Sequence, residues 1–305
     1  MSSSKTVTAS AMTAFPGLAD PDKEPREPRG LSDDDFNRFS ALILERTGIR
    51  LTPSKRTHIE GKLRKRAAVL GLGSVADYSR MLFQHGGLAS ELNMLIDLAT
   101  TNKTDFFRER AHFELLENTI VPEILQSRRN AASPRLKVWS AAASNGAEAF
   151  TIAMVLSEAA RKGRRFEFAV LGTDVSTEMV DEARRAIYPA VMTAPVPDNL
   201  LRRYFMQGKG TGSSSVMRVV PELRRHVRFG QVNLTDATLP VDRDVDVIFL
   251  RNVLIYFDPA TQKAVVRRLA GHLRPSGYLI LGHTEAAIGN GMGFEQIGTG
   301  VFRVK

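Results

Sequence analysis

The stretch LKVWSAAASNGAEAF, residues 136–150, decides the fold of this 305-residue chain. Its first half, LKVWSAAA (136–143), is a short apolar run that predicts a buried strand. A turn with a single glycine, Gly146, follows it. The apolar spacing from about Ala147 to Lys162 then predicts a helix. A strand that leads into a helix in this way is the opening unit of a doubly wound α/β sheet.

The same alternation of strands and helices continues towards the C-terminus. Further strands are predicted at FEFAVLGTD (166–174), DVDVIFLRN (244–252), GYLILG (277–282) and VFRV (301–304). Helices are expected at 176–186 and from Asp258-Pro259 to about Leu273. Between them, MQGKGTGSSSVMRVV (206–220) is rich in Gly and Ser and predicts a hairpin in a small inserted subdomain.

Upstream of residue 130 the apolar spacing is helical throughout, and nothing predicts a strand. The first helix is expected to begin after Ser32, an N-cap whose capping box is closed by Asp35. The second is expected to begin near Pro53, with the proline in its first turn. Further helices are predicted at about 75–84, 90–99 and 109–128. Residues 1–30, rich in Ser, Thr, Ala, Pro and charge, are expected to form a disordered tail.

Charge, cysteine content and the length of apolar runs indicate which partners and which cell compartment to expect. The chain has a formal charge of +9 and a pI of about 10.0, which favours an acidic partner: nucleic acid, an anionic membrane surface or an acidic protein. It has no cysteine, which excludes disulfides and thiolate metal sites. No apolar run approaches the roughly 20 residues that span a bilayer, and the N-terminus does not resemble a secretory signal. We therefore expect a cytoplasmic protein.

The carboxyl ends of the predicted strands, where an open α/β sheet binds its ligand, carry polar residues. Asp174 ends the second strand, and its carboxylate can accept both hydroxyls of an adenosine ribose. NAD would use the same carboxylate, but it also needs a glycine-rich turn for its pyrophosphate. Here the turn has only Gly146, and Glu148 would repel a pyrophosphate. S-adenosylmethionine, a cation without phosphates, fits better, and NAD remains the alternative on these residues alone.

Several longer segments carry a family resemblance. They are TTNKTDFFRE (100–109), KVWSAAASNGAEAF (137–150), LGTDVS (171–176), VNL (232–234), DVIFLRNVLIYFD (246–258) and GYLILGHTE (277–285). In this order they resemble the CheR family, the chemotaxis receptor glutamate methyltransferases. The resemblance covers about residues 31–305, and the first and fifth segments are long and specific.

The resemblance implies an architecture and a reaction. A Rossmann-like class I methyltransferase domain would occupy 130–305, with an inserted antiparallel β-subdomain at about 187–225. A helical receptor-recognition domain and linker helix would occupy 31–129. The implied reaction moves a methyl group from S-adenosyl-L-methionine to glutamate side chains on the cytoplasmic domain of methyl-accepting chemotaxis receptors, leaving S-adenosyl-L-homocysteine. No metal, nucleic acid or membrane insertion is expected.

The resemblance also assigns site residues, position by position. Those that match the family's cofactor contacts are Asn102, Thr104, Arg108, Glu148, Asp174, Asn233, Leu234, Arg251 and Asn252. Arg108 and Tyr256 are the expected catalytic residues, because either could orient the substrate carboxylate. No general base is expected, since a glutamate is already ionised at neutral pH. We assign no role to His112 or His283, a residue type that is more often structural.

Two positions depart from the family pattern and leave alternatives open. The turn after the first strand usually reads STGEEPY, and here SNGAEAF (144–150) places Ala147 and Ala149 where the family has glutamate and proline. A non-catalytic S-adenosylmethionine sensor, or a methyltransferase with another protein substrate, therefore remains an alternative. The basic pI suggests a nucleic-acid methyltransferase. However, RNVLIYF (251–257) lacks the Pro-Pro loop that is usual in enzymes that methylate base amino groups.

Two surfaces are predicted to bind the receptor. The segment from Arg46 to Arg66 contains eight Lys or Arg residues and one acid. On the second helix the residues expected to pack inward are Ile59, Leu63, Ala67 and Leu70. The cations expected to face outward and bind substrate are Lys55, Lys62, Lys65 and Arg66. In the β-subdomain, Val216–Val220 is expected to offer an open edge to a receptor C-terminal peptide, beside a glycine-rich loop at 208–212.

Overall fold

The computed structural model describes residues 30–131, 133–163, 165–208 and 215–304. The expected N-terminal tail, and the expected glycine-rich loop beyond Gly208, lie outside these residues.

The N-terminal domain is helical: α1 (Asp33–Thr47), α2 (Arg56–Val69), α3 (Val75–Gln84) and α4 (Leu88–Ala99). α1 begins as expected, because the Ser32 hydroxyl accepts a hydrogen bond from the backbone N–H of Asp35 at 3.1 Å and donates to its carboxylate at 2.8 Å. Pro53 opens a single 3-10 turn before α2. On α2 the expected inward residues are buried except Leu70, which is 39% exposed because the helix ends one residue earlier.

One helical run of three segments connects the two domains. It consists of α5 (Ala111–Leu115), a π turn (Leu116–Ile120) and α6 (Val121–Ser127). The sequence predicted a continuous helix here and not the widened turn. Pro122 cannot donate a backbone hydrogen bond, and the turn that precedes it is the one that widens.

The C-terminal domain alternates strands and helices. Its helices are α7 (Ala147–Lys162), α8 (Thr177–Arg185), α9 (Asp198–Tyr204), α10 (Pro221–Arg224) and α11 (Pro259–Ala270). Its strands are β1 (Arg135–Ala141), β2 (Glu167–Asp174), β3 (Ile187–Pro189), β4 (Phe205–Gln207), β5 (Val216–Val219), β6 (Val227–Gln231), β7 (Val245–Leu250), β8 (Leu273–Leu281), β9 (Phe294–Gly298) and β10 (Val301–Val304).

The main sheet has the strand order β6-β2-β1-β7-β8-β10-β9, and β10 runs antiparallel to both of its neighbours. The chain moves outward from β1 through β2 to β6, then crosses to β7 on the other side of β1. The carboxyl ends of β1 and β7 therefore form the switch point at which open sheets bind ligands. This is the doubly wound α/β fold predicted from the sequence, with a small antiparallel sheet added.

The small sheet corrects one expectation. β4 and β5 form the predicted hairpin, but β5 is the central strand, paired with β3 on one side and β4 on the other. The prediction that Val216–Val220 offers an open edge is therefore wrong. The third strand, β3, is only three residues long and gives too short a pattern to be detected in the sequence.

Two further strands of the main sheet, β6 and β9, were also not predicted. Both lie at its edges and read VRFGQ and FEQIG, with exposed and half-buried positions instead of an apolar run. An edge strand that meets solvent lacks the continuous apolar pattern of a central strand such as β7, all of whose residues are buried. Over the described residues, no helix is both long and apolar enough to cross a bilayer.

Candidate active site

A cleft of about 890 Å³, counting the part open to solvent, lies at the carboxyl ends of β1, β2 and β7. Its size is in the range of small-molecule sites. The lining includes every residue that the sequence assigned to the cofactor or to catalysis: Asn102, Thr104, Arg108, Glu148, Asp174, Asn233, Leu234, Arg251, Asn252 and Tyr256. Segments far apart in the chain are thus brought to one place, as the sheet topology requires.

Asp174 ends β2 with its side chain turned into this cleft, and the residue is 7% exposed. Its two oxygens accept backbone hydrogen bonds from Ser144 at 2.8 Å and from Ser176 at 3.0 Å. Burial raises the pKa of Asp174, and these hydrogen bonds oppose the shift. Each carboxylate oxygen can accept a second hydrogen bond, so the group is held in one orientation and can still bind a ligand.

Arg251 bridges two carboxylates at one side of the cleft, and its side chain is only 2% exposed. Its guanidinium lies 3.0 Å from Glu148 and 3.3 Å from Glu109, and it also donates to the carbonyl of Arg108. Burial raises the pKa of Glu148, and the charge of Arg251 opposes this. When both carboxylates are ionised they outnumber the single guanidinium, so this trio favours a cationic ligand.

The loop after β7 is held by Glu285, whose side chain is fully buried. The Glu285 carboxylate accepts the backbone N–H of Asn252 at 2.7 Å and of Ile255 at 3.4 Å. Asn252 has a left-handed backbone, φ 58°, and its side-chain amide donates to Glu109 at 3.1 Å. These bonds fix the loop that carries Tyr256 to the cleft.

The helical domain closes another side of the same cleft. Residues at the end of α1, within segment 46–50, supply part of the lining. The side-chain amide of Asn233 donates to the carbonyl of Arg46 at 2.7 Å. The backbone N–H of Arg50 donates to the carbonyl of Tyr256 at 3.1 Å. Segment 46–50 is therefore tied to two of the loops that follow the strands.

Two family models match consecutive parts of the chain. The CheR methyltransferase SAM binding domain matches residues 102–302, and the CheR methyltransferase all-alpha domain matches residues 34–100. The chain belongs to the CheR methyltransferase family. The cofactor of this family's binding domain is S-adenosylmethionine, which the sequence favoured over NAD.

Similar proteins extend the match across both domains. The chain is 39% identical over 259 residues to the chemotaxis protein methyltransferase of Escherichia coli, covering 84% of this chain and 85% of that protein. It is 37% identical over 254 residues to chemotaxis protein methyltransferase 2 of Pseudomonas aeruginosa, covering 83% and 86%. It is 33% identical over 261 residues to the chemotaxis protein methyltransferase of Borreliella burgdorferi, covering 85% and 90%.

The cations that the sequence predicted to face outward from α2 do not all face solvent in this CheR family member. Arg66 does not face outward, because it donates to both oxygens of the buried Glu91 at 2.6 and 2.7 Å. Lys62 donates to the carbonyl of Leu98, near the C-terminal end of α4, at 2.8 Å. Lys65 is exposed and has no ion-pair partner within the described residues. The expected outward stripe is therefore partly internal to the helical domain.

Lys55, the remaining predicted substrate-binding cation, lies next to the active site. Its Nζ is 4.6 Å from the centroid of the Tyr256 ring and donates to the Thr101 hydroxyl at 3.2 Å. Burial lowers the pKa of Lys55. The distance along the chain between Lys55 and Tyr256 explains why sequence spacing gave no indication of this contact.

Sequence reasoning also missed Glu109 and Glu285, which organise the cleft without being assigned to it. Each is the last residue of a quoted motif, TTNKTDFFRE and GYLILGHTE. That position was the only available signal. Burial of these carboxylates depends on loops that fold over them from distant parts of the chain, and residue spacing does not record it.

Proposed function

We propose that this chain transfers the methyl group of S-adenosylmethionine to glutamate side chains on the cytoplasmic part of chemotaxis receptors, forming glutamyl methyl esters. The observation that carries the proposal is the charge around the cleft. Lys103 and Arg108 line it, and Lys55 packs on Tyr256 beside it. Asp105 is the one exposed acid in the described lining, since Glu148 and Asp174 are not exposed. A cationic rim attracts an anionic side chain.

Inside the cleft, we assign the cofactor to the residues that the sequence predicted. The free acceptor positions of Asp174 suit the hydroxyls of a ribose. The excess negative charge of the Glu148–Arg251–Glu109 trio suits a sulfonium or an ammonium group. The bound cofactor supplies an activated methyl group. The other predicted contacts complete the site: Asn102, Thr104, Arg108, Asn233, Leu234 and Asn252.

To attack the methyl group, the receptor carboxylate has to be oriented and stripped of water, but it does not have to be deprotonated. A glutamate has a reference pKa of about 4.3 and is ionised at neutral pH. Arg108 and Tyr256 are the groups assigned to hold the substrate carboxylate. We expect a light hydrogen bond to the attacking oxygen, because a tight ion pair would weaken the nucleophile.

Receptor recognition is assigned to the helical domain, within residues 31–129, and methyl transfer to residues 130–305. Lys65 on α2 and Lys55 in the turn before it are the predicted cations best placed to meet a receptor, because Arg66 and Lys62 are engaged inside the domain. An acidic stretch on the receptor would then lie across α2 with a glutamate directed at Tyr256.

A second contact with the receptor is proposed at the small sheet, on β4 instead of β5. β3 includes Pro189, which cannot donate a backbone hydrogen bond. Gly208, the residue after β4, donates its backbone N–H inward to the carbonyl of Val216 at 2.8 Å. Backbone groups alternate along a strand, so Gln207, one residue earlier, directs its N–H and C=O to the outer edge. A receptor C-terminal peptide could add there as a strand.

The assay for the main proposal uses tritiated S-adenosylmethionine and receptor cytoplasmic fragments, followed by base treatment. Release of volatile methanol is the expected result, because glutamyl esters are base-labile. Stable counts would indicate N-methylation, and no counts would indicate a sensor. Either result would overturn the proposal. A fragment whose clustered glutamates are changed to glutamine is the matched control and should release nothing.

The β4 contact is tested separately with the receptor's C-terminal pentapeptide. Gln207→Pro removes an outward N–H and should abolish peptide binding in calorimetry, whereas Met206→Ala, which keeps the backbone, should not. Equal peptide affinity in the Gln207→Pro variant and the unmodified chain would exclude β4 as the docking edge.

A further inference from the structure

Glu109, His112 and His283 converge next to the cleft but outside its lining. Each offers one potential ligand atom, and these atoms lie within 4.8 Å of one another. Glu109 has a left-handed backbone, φ 55°, in the turn before α5, and its carbonyl accepts the backbone N–H of His112 at 3.1 Å, so this turn brings the two residues together. His283 follows β8 in the chain and reaches the same point from another loop.

His112 has a buried nitrogen without a hydrogen-bond partner. The residue is 2% exposed, and its Nε2 lies 3.1 Å from the carbonyl of Thr299, so this nitrogen carries the proton and donates. Its Nδ1 is then a lone-pair acceptor, has no partner among the described residues, and lies 3.5 Å from the Glu109 carboxylate. Two acceptors that face each other in a buried place are stabilised by a proton, a water molecule or a cation between them, and the convergence of a third ligand atom from His283 favours the cation.

The separation of those two atoms suits a metal ion. Two tetrahedral ligands at about 2.0–2.1 Å from zinc lie roughly 3.4 Å apart, close to the distance between His112 and Glu109. Histidine ligands usually donate their second N–H to a carbonyl or carboxylate, as His112 does to Thr299.

The two oxygens of the Glu109 carboxylate have different partners. One accepts the side-chain amide of Asn252 at 3.1 Å. The other, which faces His112, accepts the backbone N–H of His283 at 3.2 Å and lies 3.3 Å from Arg251. A metal ion at this second oxygen would share it with Arg251.

His283 completes the set from the solvent side. Its ring lies edge-on to the His112 ring, with 4.7 Å between centroids, and the residue is exposed. One of its ring nitrogens lies within 4.8 Å of the other two ligand atoms, so an ion bound by all three requires His283 to move closer. Its exposure also leaves a fourth position open to water.

We propose that Glu109, His112 and His283 bind a divalent transition metal ion such as Zn²⁺, with water as the fourth ligand. Because the chain has no cysteine, imidazole is the preferred ligand available to such an ion. The ion would connect the FFRE segment (106–109) to the GHTE segment (282–285). It would also compete with Arg251 for Glu109, and so act on the network that borders the cofactor cleft.

The experiment uses the full chain without an affinity tag, stripped of metal with a chelator. Titration with Zn²⁺ in a calorimeter should give one equivalent per chain, and Co²⁺ should produce the visible absorption of a four-coordinate site. His283→Gln, at an exposed position, should weaken Zn²⁺ binding at least about tenfold. His85→Gln, at another exposed histidine, is the matched control and should bind Zn²⁺ as the unmodified chain does.

His112→Gln should also lose the site, but this change is at a buried position, so His283→Gln is the decisive variant. Absence of stoichiometric Zn²⁺ binding would overturn the proposal, as would equal Zn²⁺ affinity in His283→Gln and the unmodified chain. Because Zn²⁺ binding is measured without receptor or S-adenosylmethionine, either outcome leaves the proposed methyl transfer to be judged by its own assay.

Discussion

Charged side chains are organised in opposite ways in the cleft and on α2. In the cleft, Arg251 is 2% exposed and lies between carboxylates that come from two other segments of the chain. On α2, Lys65 is exposed and unpaired among the described residues, while its neighbour Arg66 binds Glu91 in the domain interior. Buried charges need fixed partners, whereas exposed charges act mainly through their sum.

This difference separates two kinds of contribution to function. Removing a charge from the cleft leaves its partners buried and unpaired, so stability and cofactor binding should change together. Removing an exposed charge from α2 should change only the encounter with an anionic partner. Arg66 lies on α2, but it is a paired internal charge like those of the cleft. The following experiments test this division.

The largest effect is expected for Arg251→Met. It leaves Glu148 and Glu109 without their shared cation, and the free energy of unfolding should fall by about 3–5 kcal/mol. Urea unfolding measures this loss. Arg108→Met is the matched control, because among the described residues the Arg108 side chain donates to the carbonyl of Lys103 alone, and the change should cost less than about 1 kcal/mol. Equal losses in the two variants would mean that the trio does not stabilise the cleft.

The next largest effect is expected for Asp174→Ala. The Asp174 carboxylate is assigned to the ribose hydroxyls, so S-adenosylhomocysteine affinity in calorimetry should fall about 10- to 100-fold. The variant should fold but lose about 1–3 kcal/mol, because Ser144 and Ser176 lose an acceptor. Asp174→Asn, which keeps one oxygen, should have an S-adenosylhomocysteine affinity between those of Asp174→Ala and the unmodified chain. Unchanged affinity in a folded Asp174→Ala protein would refute the assignment.

A smaller, pH-dependent effect is expected at Glu91. The hydrogen bonds from Arg66 lower the pKa of Glu91 below its usual value. A carboxyl whose pKa is depressed by folding stabilises the fold above its unfolded pKa, and this contribution is lost as the pH falls through the folded value. Stability measured by urea unfolding should therefore decline below about pH 4.5, and Glu91→Gln should flatten that decline. An identical acid profile in both proteins would contradict the coupling.

The smallest effect per residue is expected for Lys65→Glu. Exposed pairs contribute about 0.2–1 kcal/mol each, so the KM for receptor should rise a few-fold at low salt. Thermal stability and S-adenosylhomocysteine affinity should not change. Lys263→Glu, at an exposed position on α11, is the control for net charge. A Lys65→Glu enzyme that methylates receptor normally at low salt would show that the exposed face of α2 is only solvated. Reversing the charge of Arg66 would not test whether the exposed face of α2 binds receptor, because the change also disrupts the ion pair with Glu91.

The same division explains how much could be predicted. Asp174 and Arg251 were predictable from the strands, because each ends or follows a strand whose apolar pattern is strong, and parallel strands end on one edge of a sheet. The other cleft residues were predicted from the family resemblance. The contacts of α2 could not be predicted in this way. A helical pattern indicates the side of the helix on which Arg66 lies, but it does not show that Glu91 lies opposite it. The open edge expected at β5 was wrong for a related reason, since the pairing of a short strand depends on a distant segment.

The contact of segment 46–50 with the cleft has a consequence for how such a protein can diversify. Thr47 and Ile49 belong to the helical domain, yet they line the cleft whose other walls come from the catalytic domain. A chimera that joined residues 102–305 to an unrelated targeting module would inherit a cofactor pocket with one wall missing. The two halves are therefore not interchangeable, and any replacement of the helical domain has to keep the end of α1 in place.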